Sequence, residues 1–176
     1  MKIATVGHSS RSLAELIALL HHHHVAKLVD VRSHPGSKRF PHFSRARLEQ
    51  ELPRHGIAYG WQRQLGGMRK QQGESIHSAL VGSPFAAYAD YMLTDAFAQA
   101  IETVFASAAT APTALMCAEA RPQDCHRQLI ADWLASRGVA VRHLLSIEQV
   151  VDHRLSELAR LDGDMLIYDR GQLSLP

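Results

Sequence analysis

Several kinds of feature are missing from this sequence of 176 residues, and each absence excludes a class of protein. No apolar run approaches the roughly eighteen residues that a membrane-spanning helix needs. Neither a glycine-rich nucleotide-binding motif nor a serine-hydrolase elbow is present. The N-terminus, MKIATVGHSS, is too short and too quickly polar for a signal peptide. We therefore expect a cytoplasmic protein whose two cysteines are reduced thiols.

Length and composition predict one globular domain. The hydrophobic content is 46% and the charged content 20%, which is ordinary for a globular protein of this size. We expect a single domain over residues 1–176, with a core over about 2–161 and a hairpin-like extension over 162–176.

Short apolar runs alternate with amphipathic helical segments along the chain. This alternation predicts an α/β fold with a mainly parallel sheet and helices on both faces, a Rossmann-like arrangement of three layers. Ser146 is predicted to begin a last helix that ends near Leu161, and residues 165–175 are predicted to form a hairpin with Arg170-Gly171 at its turn. Residues 62–84 are polar and aperiodic, which is typical of a functional or disordered loop.

Basic residues are concentrated in one quarter of the chain. Between Val31 and Gly73 there are nine Lys or Arg residues and two acids, although the whole chain has a net charge of only +2. Such a segment attracts phosphates, carboxylates or a nucleic-acid backbone. A merely solvated basic face is the alternative interpretation.

Polar residues follow three of the predicted strands. The segments are residues 7–11, residues 30–34 and residues 117–119, and a helix begins shortly after the last of them, near 124–127. Ligands of open α/β sheets bind beyond the carboxyl ends of the strands. The three segments together predict one polar cleft.

Four residues are candidates for catalysis. Glu119 is the candidate general acid or base, because a carboxylate at a strand end has no packing role there, although a salt bridge to Arg32 or Arg127 is the alternative. Cys125 is a candidate nucleophile, since a helix start and neighbouring cations favour a thiolate. His8 and His126 are candidate proton carriers. Adjacent residues of a helix do not face each other, so sequence proximity does not make His126 the base for Cys125.

The candidate anion-binding residues come from the first two segments, from the loop HPGSKRFPHF and from the helix start near 124–127. Arg32 shares a strand face with Asp30 and is a candidate anion clamp. The full set is Ser9, Asp30, Arg32, Ser37, Lys38, Arg39 and Arg127. Phe40 and Phe43 add a possible stacking surface, or else pack the loop against the domain.

A metal site at the cysteines is a further alternative. Cys117, Cys125 and His126, together with His8, would supply thiolate and imidazole ligands to zinc or iron, although the Cys-x7-Cys spacing is not that of a zinc knuckle. The run His21–His24 is expected to lie mostly at the surface.

Long motifs of the chain resemble one known family. TVGHSSRS, LVDVRSHPGSKRFPHF, LGGMRK, YADYM and LMCAEARPQDCHRQLIADWLASRGVAVRHL occur in the order typical of the domain-of-unknown-function 488 family. The resemblance implies an α/β fold, assigns no activity, and highlights residues of the polar segments and of the loop HPGSKRFPHF. These are Gly7, His8, Ser9, Asp30, Arg32, Pro35, Ser37, Phe40, Glu119, Cys125, His126 and Arg127.

A weaker resemblance is to rhodanese-type sulfurtransferases. LVDVRS looks like an early strand of that fold, and Cys117 would take the place of the sulfur carrier. This chain departs from the rhodanese pattern, because Glu119 puts a negative charge into the anion cradle and Pro122 removes an amide donor.

We therefore expect an enzyme, a hydrolase or transferase, that acts on a small anionic or nucleotide-like substrate at the carboxyl edge of the sheet. The alternatives are a nucleic-acid-associated protein that binds phosphates through residues 32–70, sulfur or redox chemistry at the cysteines, and a metal-binding protein. No membrane partner is expected.

Overall fold

A computed structural model describes residues 1–36 and 38–170 of the chain. Across these residues the eight strands are Lys2–Gly7 (β1), Lys27–Asp30 (β2), Ala58–Trp61 (β3), Thr113–Cys117 (β4), Ala140–Leu144 (β5), Val150–Asp152 (β6), Ala159–Asp162 (β7) and Met165–Tyr168 (β8). The five α-helices are Leu13–His22 (α1), Arg45–Arg54 (α2), Ala86–Tyr91 (α3), Asp95–Thr110 (α4) and Arg127–Ala135 (α5).

Six strands form one sheet in the order β3-β2-β4-β1-β5-β6. The first five are parallel, and β6 pairs with β5 in the antiparallel direction. β4 lies between β1 and β2, so these two strands do not pair with each other. The predicted α/β fold with a mainly parallel sheet is confirmed.

Alternate residues of the central strands face two separate cores, one on each side of the sheet. Val6, Leu28 and Met116 pack with the buried faces of α1 and α2. Ile3 and Leu115 face the other side and pack with α3, α4, α5 and the β7–β8 hairpin. The sheet is therefore the middle of three layers.

Local sequence signals account for the helix ends. Ser12 and Glu15 form the capping box that starts α1. Thr94 caps α4 through the amide of Phe97. Gly138, three residues beyond α5, has a φ of 75°, a conformation that glycine adopts without strain.

The predicted last helix is wrong. Ser146 does not cap a helix; its hydroxyl accepts a hydrogen bond from the Gln149 amide in the turn between β5 and β6. Serine favours turns as well as helix starts. The apolar residues at helical spacing, Ile147, Val151, Leu155 and Leu158, are all exposed, so a helix there would have no core to contact.

The hairpin lies earlier than predicted. β7 and β8 pair around Gly163, which has a φ of 57°. Arg170 follows β8 and is not at the turn, and residues 171–176 lie outside the described part of the chain. The hairpin packs into the core through Ala159, Leu166 and Tyr168. In the described ranges, no helix is long and apolar enough to cross a membrane.

Candidate functional site

The carboxyl ends of β1, β2 and β4 meet at one edge of the sheet. Beyond β1, the amides of His8 and Ser9 donate to the carbonyl oxygens of Cys117 and Ala118, at 2.9 and 2.8 Å. Beyond β2, the Val31 amide donates to the Met116 carbonyl at 2.9 Å. A Cβ at position 7 would overlap the Glu119 carbonyl, which explains the glycine. The three polar segments are therefore held side by side.

Two adjoining clefts open at this edge. The first, here called the thiol cleft, has a volume of about 410 Å³, and both cysteines and His126 are in its wall. The second, here called the basic cleft, has a volume of about 440 Å³ and is lined by His8, Ser9, Arg39 and Phe40 among others. Four residues line both clefts: Arg32, His34, Ala118 and Glu119.

Cys117, Cys125 and His126 form a compact cluster, here called the thiol cluster. Nδ1 of His126 lies 3.5 Å from Sγ of Cys125 and 3.9 Å from Sγ of Cys117. The contact between adjacent residues is possible because they precede α5. Cys125 has extended backbone after a 3₁₀ turn at Pro122–Asp124, and His126 is the N-cap of α5. All three side chains are buried.

The hydrogen bond of Nε2 determines the tautomer of His126. Nε2 lies 3.0 Å from the carbonyl oxygen of Val31. A carbonyl accepts only, so Nε2 carries the hydrogen and Nδ1 presents a lone pair to the sulfurs when the ring is neutral. Tyr88 packs against the ring, with centroids 5.0 Å apart.

The two thiols differ in acidity. A hydrogen bond from Cys117 lowers the pKa of the Cys125 thiol, and His126 and Arg127 lower it further. The same hydrogen bond, together with burial, raises the pKa of the Cys117 thiol. Cys125 is therefore the thiolate of the pair when one proton is lost.

Arg127 is buried without a carboxylate partner among the described residues. It is 1% exposed. Its guanidinium donates to the Glu119 carbonyl and weakly, at 3.4 Å, to Thr5 Oγ1, and Nε has no partner. A buried charge is costly unless an opposite charge lies nearby. The charge of Arg127 favours the thiolate forms of both cysteines.

Arg32 is held tightly at the junction of the two clefts. Its Nε donates to Oδ1 of Asp30 at 2.9 Å and Nη2 donates to the Phe43 carbonyl at 2.8 Å. Asp30 also accepts the hydroxyl of Tyr59 at 2.7 Å. Asp30 therefore orients Arg32 and neutralises much of its charge. Nη1 has two hydrogens, and one of them is directed to Nε2 of His8, 3.2 Å away.

Both nitrogens of His8 are engaged. Nδ1 donates to the Ser9 carbonyl at 2.9 Å, and Nε2 accepts from Arg32. Burial lowers the pKa of His8 to about 4. The ring packs on Phe43, with centroids 4.3 Å apart. These contacts favour a positioning role for His8 over proton transfer.

Glu119 is exposed where the two clefts join, and none of the ion pairs among the described residues includes its carboxylate. The anticipated salt bridge to Arg32 or Arg127 is not formed in this part of the chain. Lys38 and Arg39 are exposed, with Arg39 over the ring of Phe40 at 5.2 Å. Ser9 lines the basic cleft with a φ of 49°. Ser37 lies outside the described residues.

The segment Gln62–Pro84 covers part of the thiol cleft. The Met68 amide donates to Oγ of Ser33 at 3.0 Å. A Cβ at Gly66 would overlap Ser33, and a Cβ at Gly67 would overlap the ring of His126. The glycine pair of LGGMRK therefore lets this segment lie directly on the cluster. Sequence reasoning noted the motif but gave it no role.

Sequence reasoning also missed a buried polar network on the other side of α5. Thr5 Oγ1, His143, His153 and Asp132 are linked by hydrogen bonds of 2.8, 3.0 and 2.9 Å, and the hydroxyl of Tyr168 donates to Asp132 at 3.0 Å. One signal could have revealed it, because Asp132 interrupts the apolar run LIADWL. These five residues are here called the histidine network.

The comparisons with known proteins identify a family but no activity. A family model described as "Domain of unknown function DUF488" matches residues 12–134. No curated protein and no solved structure matches the chain. The resemblance to rhodaneses is therefore not shown by any comparison.

Proposed function

Because the chain belongs to the DUF488 family, whose description names no activity, we propose a function from the geometry of the carboxyl edge: the protein is an enzyme that acts on a small anionic substrate of nucleotide-like size. One observation carries the proposal. The thiol cleft and the basic cleft adjoin each other, and Arg32 and Glu119 line both. A substrate across the junction would contact a reactive cluster at one end and cations with an aromatic ring at the other.

The anionic end of the substrate is assigned to the basic cleft. Arg32 is fixed by Asp30 and Phe43, so little conformational entropy is lost when its Nη1 binds an anion. Arg39 adds a positive charge at the same cleft, and Phe40 beneath it supplies a flat apolar surface. A phosphate or carboxylate attached to a planar group matches these contacts.

Proton transfer is assigned to Glu119. Its carboxylate lies at the junction of the clefts and is not tied to a cation of the described chain. Both ring nitrogens of His8 form hydrogen bonds, and Nε2 of His126 is hydrogen-bonded to the Val31 carbonyl, so neither ring is as available for proton transfer. A carboxyl group at this position would protonate a leaving group or accept the proton of an attacking nucleophile, which supports hydrolysis or group transfer.

Several cations of the basic segment already have partners within the protein, which reduces the charge available to a nucleic-acid backbone. Three of its arginines form ion pairs along α2, namely Arg45, Arg47 and Arg54. Arg45 also stacks on Trp61, and Arg69 on Tyr91. These contacts support the small-substrate proposal over the phosphate-backbone alternative.

The test combines binding and turnover. Nucleoside 5′-monophosphates, sugar phosphates and the matching nucleosides are titrated by calorimetry, and product formation is followed by NMR. Phosphorylated compounds should bind at least about tenfold more tightly than nucleosides, a difference of about 1.4 kcal/mol. Arg39→Ala should remove most of that difference, whereas Arg54→Ala, a matched arginine on α2, should not.

Glu119→Gln separates catalysis from binding. It should preserve binding and stability and lower turnover by about a hundredfold or more. No binding across the panel, or full turnover in Glu119→Gln, would overturn the proposal. Tight binding of duplex DNA that weakens steeply with salt, with no binding of the small phosphates, would favour the nucleic-acid alternative.

A further inference from the structure

The thiol cluster brings two sulfurs and one ring nitrogen close together. Two sulfurs lie within 4 Å of the same ring nitrogen. The neutral nitrogen has a single in-plane lone pair, which accepts one thiol hydrogen well. The three donor atoms, two Sγ and one Nδ1, all lie within 4.8 Å of one another. Such convergence of three lone-pair donors on one point is the arrangement of a metal-ligand set.

The distances agree with tetrahedral zinc. Bonds of about 2.3 Å to sulfur and about 2.0 Å to nitrogen place the sulfur and nitrogen ligands about 3.5 Å apart at a tetrahedral angle. The observed separations are 3.5 and 3.9 Å. The two sulfur–nitrogen separations therefore need little change to fit one cation.

His126 already has the support that a ligand histidine needs. The hydrogen bond from Nε2 to the Val31 carbonyl orients the ring and leaves Nδ1 unprotonated toward the sulfurs. Gly67 and Tyr88 pack on the ring and limit its rotation. The ligand atom is thus preorganised before any cation arrives.

Charge balance also favours a cation at the cluster. When a divalent ion replaces both thiol protons, the ion, two thiolates and a neutral imidazole are neutral overall, so no net charge is buried. Thiolate and imidazole donors select zinc-like ions over magnesium or calcium. With two cysteines in the chain, the set also falls short of the four ligands of a common iron–sulfur cluster.

We propose that Cys117, Cys125 and His126 bind one thiophilic divalent cation, zinc by the chemistry of its donors, whose fourth coordination position opens into the thiol cleft. Three protein ligands with one open position are typical of catalytic zinc, whereas structural sites use four. The exposed carboxylate of Glu119 lines the same cleft. The inference deepens the proposed function: it rests on that function for the role of the site, but the binding of the cation can be measured without it.

Cobalt substitution provides the most direct test. The full-length chain is reduced, freed of metal with a chelator, and titrated with Co²⁺ under argon. We expect one equivalent to give tetrahedral d–d bands and a sulfur-to-cobalt charge-transfer band. Cys117→Ser and Cys125→Ser should each weaken that band, and added Zn²⁺ should bleach the spectrum by displacing the cobalt.

Affinity measurements identify the ligands. Zinc is titrated against a chromophoric competitor, and elemental analysis gives the stoichiometry. A change in the second coordination sphere typically costs 10–100-fold, so loss of a ligand in Cys117→Ser, Cys125→Ser or His126→Asn should cost about a hundredfold or more. His21→Ala/His22→Ala is the matched control, because this exposed pair could bind metal through imidazole alone. Circular dichroism checks that each variant folds.

The outcomes separate this inference from the proposed function. Unchanged zinc binding in the cysteine variants, loss of binding in the His21/His22 control, or a cobalt spectrum without a thiolate band would overturn the metal site. If the wild-type chain binds no zinc and both thiols react freely, the site also falls, while Glu119-dependent turnover of phosphorylated compounds would still support the enzyme. Tight zinc binding without any turnover or anion binding would keep the site and remove the proposed function.

Discussion

The thiol cluster and the histidine network are two buried polar groups that meet at α5, and they differ in the kinds of donor atom that they bring together. In the network, Asp132 accepts from His153, Tyr168 and the Ser156 amide. Each of these hydrogen bonds joins one defined donor to the Asp132 carboxylate. In the cluster, Nδ1 of His126 lies within 4 Å of both sulfurs and accepts from one thiol at a time. A fully satisfied network rigidifies a fold, whereas sulfur and imidazole donors gathered at one place can also bind a cation.

The donor and the acceptor can be assigned for each hydrogen bond that links Asp132, His153, His143 and Thr5. Ionised Asp132 accepts from Nε2 of His153, so Nδ1 of His153 accepts from His143, and Nδ1 of His143 accepts from Thr5. The Asp132 carboxylate at the end of the network therefore determines the tautomers of His153 and His143. Burial and histidine content are common to both groups, so they do not by themselves point to a ligand site.

Removing the end of the network should have the largest effect. Asp132→Ala leaves three donors without an acceptor in a buried site, so we expect it to lower the free energy of unfolding by about 3–5 kcal/mol. Urea denaturation at neutral pH measures the change. Asp124→Ala, which removes an exposed pair with Arg121, should change it by less than about 0.5 kcal/mol. A loss below about 1 kcal/mol for Asp132→Ala would mean that the network does not support the fold.

A change at the cluster should affect the site more than the fold. Gly67→Ala places a methyl group against the His126 ring, which should cost about 2 kcal/mol of stability through overpacking. It should also weaken zinc binding by displacing Nδ1. Gly60→Ala is the control, since a Cβ there meets nothing within 4 Å. Equal stability and zinc affinity in the two variants would show that residues 66–68 do not press on the cluster.

Lowering the pH should destabilise the fold through His143 of the histidine network, by less than the two substitutions above. Burial above all, together with the neighbouring His153 and Arg127, lowers the pKa of His143 to about 4. The unfolded chain binds a proton near pH 6.5 and the folded chain does not, so stability falls as the pH drops from about 6.5 toward 4. His143→Gln keeps a donor and an acceptor but cannot titrate.

The free energy of unfolding is measured for the wild type and His143→Gln at pH 7.5 and 5.5. The variant should lose about 1 kcal/mol less than the wild type over this interval. His8, whose pKa burial also lowers to about 4, should account for a similar part of the remaining loss. An identical pH dependence in both proteins would show that His143 is protonated in the folded chain.

Sequence patterns predicted what depends on local chemistry and short-range periodicity. The parallel strands, the capping box at Ser12 and the meeting of three polar segments at one edge all follow from such patterns. The prediction of a helix after Ser146 was wrong because the same residue types favour turns and helix N-caps, and only tertiary packing decides between them. Burial of Arg127, the orientation of His126 by Val31 and the network at Asp132 depend on residues distant in sequence. No local pattern specifies those contacts.

The position of β4 has a consequence for synthesis of the chain. β1 and β2 are separated in the sheet by β4, which begins only at Thr113. A nascent chain that has not yet exposed residues 113–117 cannot join its first two strands into one sheet. We therefore expect folding to wait for the second half of the chain, with a rate limited by these long-range pairings. The residues of the thiol cluster emerge in or just after the strand that completes the sheet, so we expect solvent thiols, oxidants and metals to reach them in the interval between their synthesis and the closing of the sheet.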